Sequence, residues 1–106
     1  MPADFRKDLI AQMKNRALIY MEMYDVLSAE LGAAKAETLL TKAIFRRGLA
    51  AGKSLARHAP DDLAGLKTSF LAAVPGGEEI FRPEVLRGDR DRLEMQLHGC
   101  PLKDAW

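Results

Sequence analysis

The residue types best suited to chemistry lie near the C-terminus, where Cys100 is the single cysteine of the chain. An alternating apolar run stops at Gly99, and Pro101 suits the first turn of a helix because that position needs no N–H donor. Cys100 is therefore the expected N-cap residue of a short helix. Unpaired N–H groups and the positive end of the helix dipole favour a thiolate there, which is the nucleophilic form of cysteine.

His98 precedes Cys100 by two residues, so its imidazole could supply a cation or a base. A thiol beside such a group is a common nucleophilic arrangement. Two interpretations of Cys100 stay open. It is either a nucleophile with His98 as its proton partner or a small buried apolar residue.

Basic side chains offer a possible anion site. Arg46 and Arg47 begin the densest basic cluster, which continues to Lys53 and Arg57. A guanidinium can hold a carboxylate or phosphate through two parallel hydrogen bonds, although the cluster also fits a solvated helix face. His58 is interpreted as a structural residue at a helix C-terminus. We expect no metal and no cofactor, because two distant histidines and one cysteine lack the paired spacing of a zinc site.

Length and charge limit the class of protein. The chain has 106 residues, enough for one domain, and its formal net charge is only +1. That charge gives no bulk electrostatic signature of nucleic-acid or anionic-membrane binding. No apolar run approaches the roughly 20 residues of a membrane-spanning helix. The start of the sequence lacks the apolar segment of a secretory signal, so a cytoplasmic location is expected.

The first helix is predicted over about residues 4–31, because apolar residues recur there at steps of three and four. Asp4 is the expected N-cap, and Gly32 is the expected left-handed residue beyond the last turn. The apolar stripe is wide, which indicates contacts on two sides of the helix.

A second helix is predicted over about residues 34–58, and a short third helix follows an N-cap at Asp61 or Asp62. Gly48 and Gly52 lie one turn apart inside the second helix. Interior glycines cost about 1 kcal/mol each relative to alanine, so close approach of another backbone is the preferred explanation and a hinge is the alternative.

The apolar period changes from 3.6 to two after Pro75, which predicts a β-hairpin within residues 78–99. Pro83 lacks an N–H donor, so its strand should be an edge strand or contain a bulge. The expected fold class is α+β. It comprises three N-terminal helices within residues 1–75, a hairpin with its apolar face on the first two helices, and the start of a further helix at residues 100–106.

Several segments resemble the L-2-amino-thiazoline-4-carboxylic acid hydrolase family in their order and approximate spacing, over nearly the whole chain. They are Asn15-Arg16-Ala17-Leu18-Ile19-Tyr20, Glu30-Leu31-Gly32, Arg46-Arg47-Gly48, Phe81-Arg82-Pro83-Glu84-Val85 and Cys100-Pro101-Leu102-Lys103-Asp104-Ala105-Trp106. Members of that family continue well past the last of these segments. The chain is therefore expected to be the front part of a longer domain, and an active site shared between both parts would be incomplete.

The resemblance implies a hydrolase that acts on a C–N bond other than a peptide bond. Its substrate would be the cyclic amidine of a thiazoline carboxylate, and its product a carbamoyl-cysteine. Cys100 would attack the ring carbon, with His98 or an acid from the missing part of the domain as its proton partner. Arg46, Arg47 or Arg87 would bind the substrate carboxylate.

The alternative is a non-catalytic module that binds a small acid or assembles into an oligomer. A homo-oligomer is expected in either case, because a helix with two apolar faces and a hairpin without a third strand leave surfaces that pair with copies of themselves. Nucleic acid is not an expected partner, since no aromatic residues interleave with the basic cluster for base stacking.

Overall fold

A computed structural model describes residues 2–106, which form helices followed by a hairpin and a last short helix. This order confirms the predicted α+β class. The elements are α1 (Ala3–Leu31), α2 (Ala33–Gly52), a 3-10 helix (Ala56–His58), α3 (Leu63–Ala73), α4 (Glu78–Phe81), β1 (Pro83–Gly88), β2 (Leu93–Leu97) and α5 (Pro101–Ala105).

The core lies around the middle of α1, which packs against both α2 and α5. Among the described residues, the buried apolar side chains are Met13, Ala17, Ala36 and Ile80. Ala17 and Ala36 have no exposed surface. Such small side chains let helices approach closely, since interaxial distance depends on the side chains at the contact. The predicted apolar stripe of α1 thus faces the core through Met13 and Ala17.

Both ends of α1 are set by residues that fix the backbone. Pro2 is the N-cap, so the expectation that Asp4 caps this helix is wrong. Asp4 lies instead in the first turn, where its charge interacts favourably with the dipole. Gly32 ends the helix as predicted, with φ of +87° and its N–H donating to the Ser28 carbonyl over 2.9 Å. It is the single residue between α1 and α2.

Helix α2 ends at Gly52, so the predicted extension to residue 58 is wrong. The N–H of Leu55 bonds back to the Gly52 carbonyl in a tighter turn, and the 3-10 helix follows. The expected close approach of a backbone at Gly48 and Gly52 is also wrong, because a Cβ at either position would meet nothing within 4 Å. The two glycines therefore weaken the last turns of α2 without any compensating contact there.

The segment predicted to begin the first strand is helix α4. Gly77 precedes it with a positive φ, and Glu78 and Glu79 occupy its first turn, where acidic side chains are favoured. Arg82, in the left-handed region at φ of 46°, ends the helix and redirects the chain into β1.

Strands β1 and β2 are antiparallel, with Pro83 opposite Leu97. The register shifts between Val85 and Arg87, so the expected edge strand with Pro83 also contains a bulge. The main helical neighbour of β1 is α3. The expectation that the hairpin lies on the first two helices is wrong, and α5 instead covers part of α1.

The molecule is more extended than its length requires. Its Cα radius of gyration is 16.6 Å, whereas a compact domain of this length would have about 13 Å. Its accessible surface is 7974 Å², about 2,000 Å² more than the value of roughly 5,900 Å² expected for its mass. No helix in the described part of the chain has the length and apolar character needed to cross a membrane.

Candidate functional site

Cys100 occupies the predicted place at the start of the last helix. It is the N-cap of α5 in an extended conformation, and Pro101 stands at the first helical position. The residue is half-buried, and its thiol makes no capping hydrogen bond. The backbone thus positions the sulfur, and the thiol takes no part in capping the helix.

His98 is held between the hairpin and the end of α4. Its Nε2 lies 2.6 Å from the Glu84 carboxylate, across the two strands. The Arg82 guanidinium donates to the carbonyl of His98 over 2.6 Å, and the His98 N–H donates to the Arg82 carbonyl over 3.3 Å. Glu84 was not anticipated from the sequence, because its pairing with His98 depends on the strand register.

Gly99 allows the segment that carries Cys100 to lie against α4. Its N–H donates to the Phe81 carbonyl over 3.0 Å. A Cβ at this position would lie 2.5 Å from the carbonyl oxygen of Ile80. Only glycine fits this approach without displacing a neighbour.

The three predicted substrate-binding arginines have different surroundings. Arg46 and Arg47 are exposed on α2. Arg87 is engaged in the hairpin turn, where its Nε donates to Asp89 over 2.6 Å. That hydrogen bond is the main cause that lowers the pKa of Asp89, and a bond from the Asp91 N–H adds to it.

A groove of about 620 Å³ lies between the end of α2, helix α3 and the hairpin. Its walls are largely apolar, and its polar residues include two serines and one arginine. The lining residues include Leu55, Phe70, Val74, Phe81, Leu97, Ser54, Ser69 and Arg57. None of the five site residues predicted from the sequence lines this groove.

A chain of hydrogen bonds runs from α3 to this groove. The Asp62 Oδ2 lies 2.8 Å from His58 Nδ1, and His58 Nε2 lies 2.8 Å from Ser69 Oγ. Arg57 Nη2 donates to the same Ser69 oxygen over 3.0 Å. The guanidinium of Arg57 can only donate to Ser69 Oγ. In the neutral His58 tautomer that carries its hydrogen on Nδ1, this hydrogen is donated to Asp62 and Nε2 accepts the hydroxyl hydrogen of Ser69. In this arrangement, each of the four side chains has a hydrogen-bond partner.

The start of α3 fixes the positions of Asp62 and His58. Asp62 is the N-cap of α3, as predicted, and its Oδ1 accepts from the Gly65 N–H over 3.0 Å. The hydrogen bond with His58, followed by that from Gly65, holds the pKa of Asp62 below its usual value. A Cβ on Gly65 would lie 2.6 Å from His58 Nδ1 and would overlap the Asp62 carboxylate. The absence of a side chain at residue 65 therefore leaves room for this pair.

The sequence did not reveal Ser69 as a candidate, and His58 was interpreted only as a helix-terminal residue. The four-residue spacing of His58 and Asp62 gave no signal, because that spacing brings side chains together on one helix, whereas the 3-10 helix ends at His58 and Asp62 begins α3. Ser69 joins them only because the 3-10 helix turns back onto α3. The sequence pattern predicted a continuous helix to residue 58, and this turn was therefore missed.

A family model described as L-2-amino-thiazoline-4-carboxylic acid hydrolase matches residues 12–106. Comparison with curated proteins and with solved structures gave no match. Within residues 2–106, no three His, Cys, Asp or Glu side chains are grouped so that they could hold a metal ion.

Proposed function

The chain belongs to the L-2-amino-thiazoline-4-carboxylic acid hydrolase family, and from this membership we propose that it hydrolyses the cyclic amidine of a small thiazoline carboxylate. The single observation that carries this proposal is the family match over residues 12–106. The product would be a carbamoyl derivative of cysteine.

In this proposal, Cys100 attacks the ring carbon that is flanked by nitrogen and sulfur. The new S–C bond makes the ring carbon tetrahedral; the ring C–N bond then breaks, and the departing ring nitrogen takes a proton. His98 would carry that proton. Its contact with Glu84 supports this role, because a carboxylate orients an imidazole and stabilises its protonated form. Water then releases the carbamoyl product and regenerates the thiol.

The substrate carboxylate would bind a guanidinium. Arg46 and Arg47 are solvent-accessible for such a contact, whereas Arg87 would first have to exchange its bond with Asp89. A bidentate pair with one of the two α2 arginines would fix the orientation of the acid.

The experiment is direct. Purified protein is incubated with L-2-amino-thiazoline-4-carboxylate, and the carbamoyl product is followed by liquid chromatography with mass detection. Cys100→Ala should lower kcat by at least about 100-fold if the thiol is the nucleophile, whereas Lys103→Ala, which alters the exposed side of the same short helix, should retain activity. Absence of turnover by the unaltered chain would contradict the proposed function. Turnover that survives Cys100→Ala would retain the function but remove the thiol from it.

We also propose that the chain assembles into a homo-oligomer, which fits the alternative of an oligomerisation module. The observation that favours this role is the surplus of about 2,000 Å² of surface over that of a compact protein of equal mass. Stable interfaces bury about 800 Å² per partner, and permanent ones bury more. The surplus is therefore sufficient for a stable contact between two copies.

A further inference from the structure

We propose that Ser69 is a second nucleophile of this protein, activated by His58 and positioned to attack an ester or a similar acyl compound bound in the groove beside α3. This reactivity is independent of Cys100. It does not depend on the hydrolysis of a cyclic amidine proposed above.

Ser69 Oγ lies 2.8 Å from His58 Nε2, and His58 Nδ1 lies 2.8 Å from Asp62 Oδ2, so the neutral imidazole with its hydrogen on Nδ1 donates to Asp62 and accepts from the Ser69 hydroxyl. These are the roles of nucleophile, general base and orienting carboxylate in serine hydrolases, which are recognised by geometry rather than by position in the sequence. His58 is suited to the base role because its side chain is only 12% exposed and is held at both nitrogens.

Asp62 acts as a positioning residue. Its side chain is 57% exposed, so water screens its charge and its main effect is to fix the tautomer and orientation of the imidazole. Gly65 supports this geometry, because any side chain there would enter the space between Asp62 and His58. The pair thus joins the end of the 3-10 helix to the N-cap of α3.

The groove provides both access and a partner for negative charge. Ser69 lines it together with apolar side chains such as Phe70 and Phe81. Arg57 already donates one hydrogen bond to Ser69 Oγ, and a guanidinium has five N–H donors in all. The remaining donors can stabilise an oxyanion that develops next to Ser69. The groove therefore suits an acyl compound with an apolar body and an anionic or polar head.

The chemical step is balanced within these groups. Ser69 Oγ forms a bond to the carbonyl carbon while its proton passes to His58 Nε2. The tetrahedral oxyanion collapses, the bond to the alcohol breaks, and the leaving alcohol takes the proton from His58. Water then attacks the acyl carbon while its proton passes to His58 Nε2; the bond to Ser69 Oγ breaks, Oγ takes this proton back, and the acid is released.

A fluorophosphonate probe tests this proposal, because Ser69 Oγ would form a bond to phosphorus with loss of fluoride. Intact mass and peptide mapping should place a single adduct on Ser69. Ser69→Ala should abolish labelling, whereas Ser54→Ala should not change it. Ser54 is a matched control because this residue lines the same groove, while its hydroxyl donates to the Ala51 carbonyl instead of a histidine.

The hydrogen bonds that link Asp62, His58 and Ser69 predict further differences between variants. His58→Gln should slow labelling by about 100-fold, as expected for loss of a general base. Asp62→Asn should lower the maximal labelling rate and leave the half-saturating probe concentration unchanged, since it alters the imidazole and not the groove. A role limited to holding the 3-10 helix against α3 would not produce this difference.

Two results would overturn the proposal: an unaltered chain that carries no adduct on Ser69, or an adduct that forms equally fast in His58→Gln. Circular dichroism of each variant separates loss of reactivity from loss of folding. The test is also distinct from that of the proposed function. A labelled Ser69 without turnover of the thiazoline substrate would support the second nucleophile and contradict the hydrolase assignment.

Discussion

The indole Nε1–H of Trp106 donates a hydrogen bond to the main-chain carbonyl of Ala17 over 2.7 Å, which joins residues 89 positions apart. Ala17 is fully buried in the middle of α1. Trp106→Phe keeps an aromatic ring and removes the donor, so the free energy of unfolding should fall by about 1 kcal/mol. Urea denaturation followed by circular dichroism measures this change. Unchanged stability would mean that water replaces the indole donor at no cost.

Gly99→Ala should destabilise the fold, because the new Cβ would lie 2.5 Å from the Ile80 carbonyl oxygen. The expected loss is about 1–3 kcal/mol, as for other cases of overpacking. Gly48→Ala is the matched control, since a Cβ there meets nothing within 4 Å. This control should stabilise α2 by about 0.5–1 kcal/mol through helix propensity. Equal effects of the two substitutions would contradict the close approach at Gly99.

The hairpin turn should make stability depend on pH through Asp89. Its carboxylate accepts bonds from Arg87 and from the N–H groups of Asp91 and Arg92, and its pKa is lowered in the folded state. A lowered pKa means that Asp89 contributes stability above its unfolded value of about 3.8. That contribution is lost as the pH falls through the folded pKa.

Asp89→Asn should therefore melt at a lower temperature than the unaltered chain at pH 7. The difference in melting temperature between the two proteins should decrease below about pH 4 and disappear in stronger acid. Asp91→Asn serves as the control, because the Asp91 side chain makes no hydrogen bond to Arg87 or to the turn amides. A difference in melting temperature that does not depend on pH would show that the amide group itself, and not the loss of charge, lowers the stability.

Self-association should involve the side of α1 that faces away from its buried residues. Ile19, Met23 and Val26 recur there at helical spacing and are 49%, 45% and 60% exposed. Val26→Glu should weaken the oligomer by placing a charge in this apolar stripe. Lys14→Glu is the control: it changes the net charge more but lies on another side of α1, so it should leave the oligomer intact. Light scattering on size-exclusion fractions compares the masses, and a monomer near 11.7 kDa for the unaltered chain would contradict the prediction.

Local signals in the sequence were sufficient for the order of elements. The 3.6-residue period predicted α1, and Gly32, Asp62 and Pro101 marked helix boundaries through their own backbone or side-chain chemistry. The change to a period of two predicted the hairpin. Each of these signals acts within one or two turns of the chain, so tertiary contacts did not override it.

Helix α4 and the contacts between distant segments were not predicted. Helix α4 forms where alternation indicated a strand, because Gly77 and Arg82 bracket it with positive φ. The grouping of Ser69 with His58 requires the chain to reverse between α2 and α3, which no periodicity encodes. The same holds for the pairing of Glu84 with His98, since it follows from strand register alone.

The bond between Trp106 and Ala17 also orders the events of folding. Helices α1 and α2 are joined by one residue, so they can pair with almost no loop to close. Docking of α5 instead closes a loop of nearly the whole chain, and the entropy of that closure grows with its length. We expect α5 to attach last and to detach first. Cys100 stands at the start of this segment, so amide hydrogen exchange should report opening around the thiol well before α1 loses its protection.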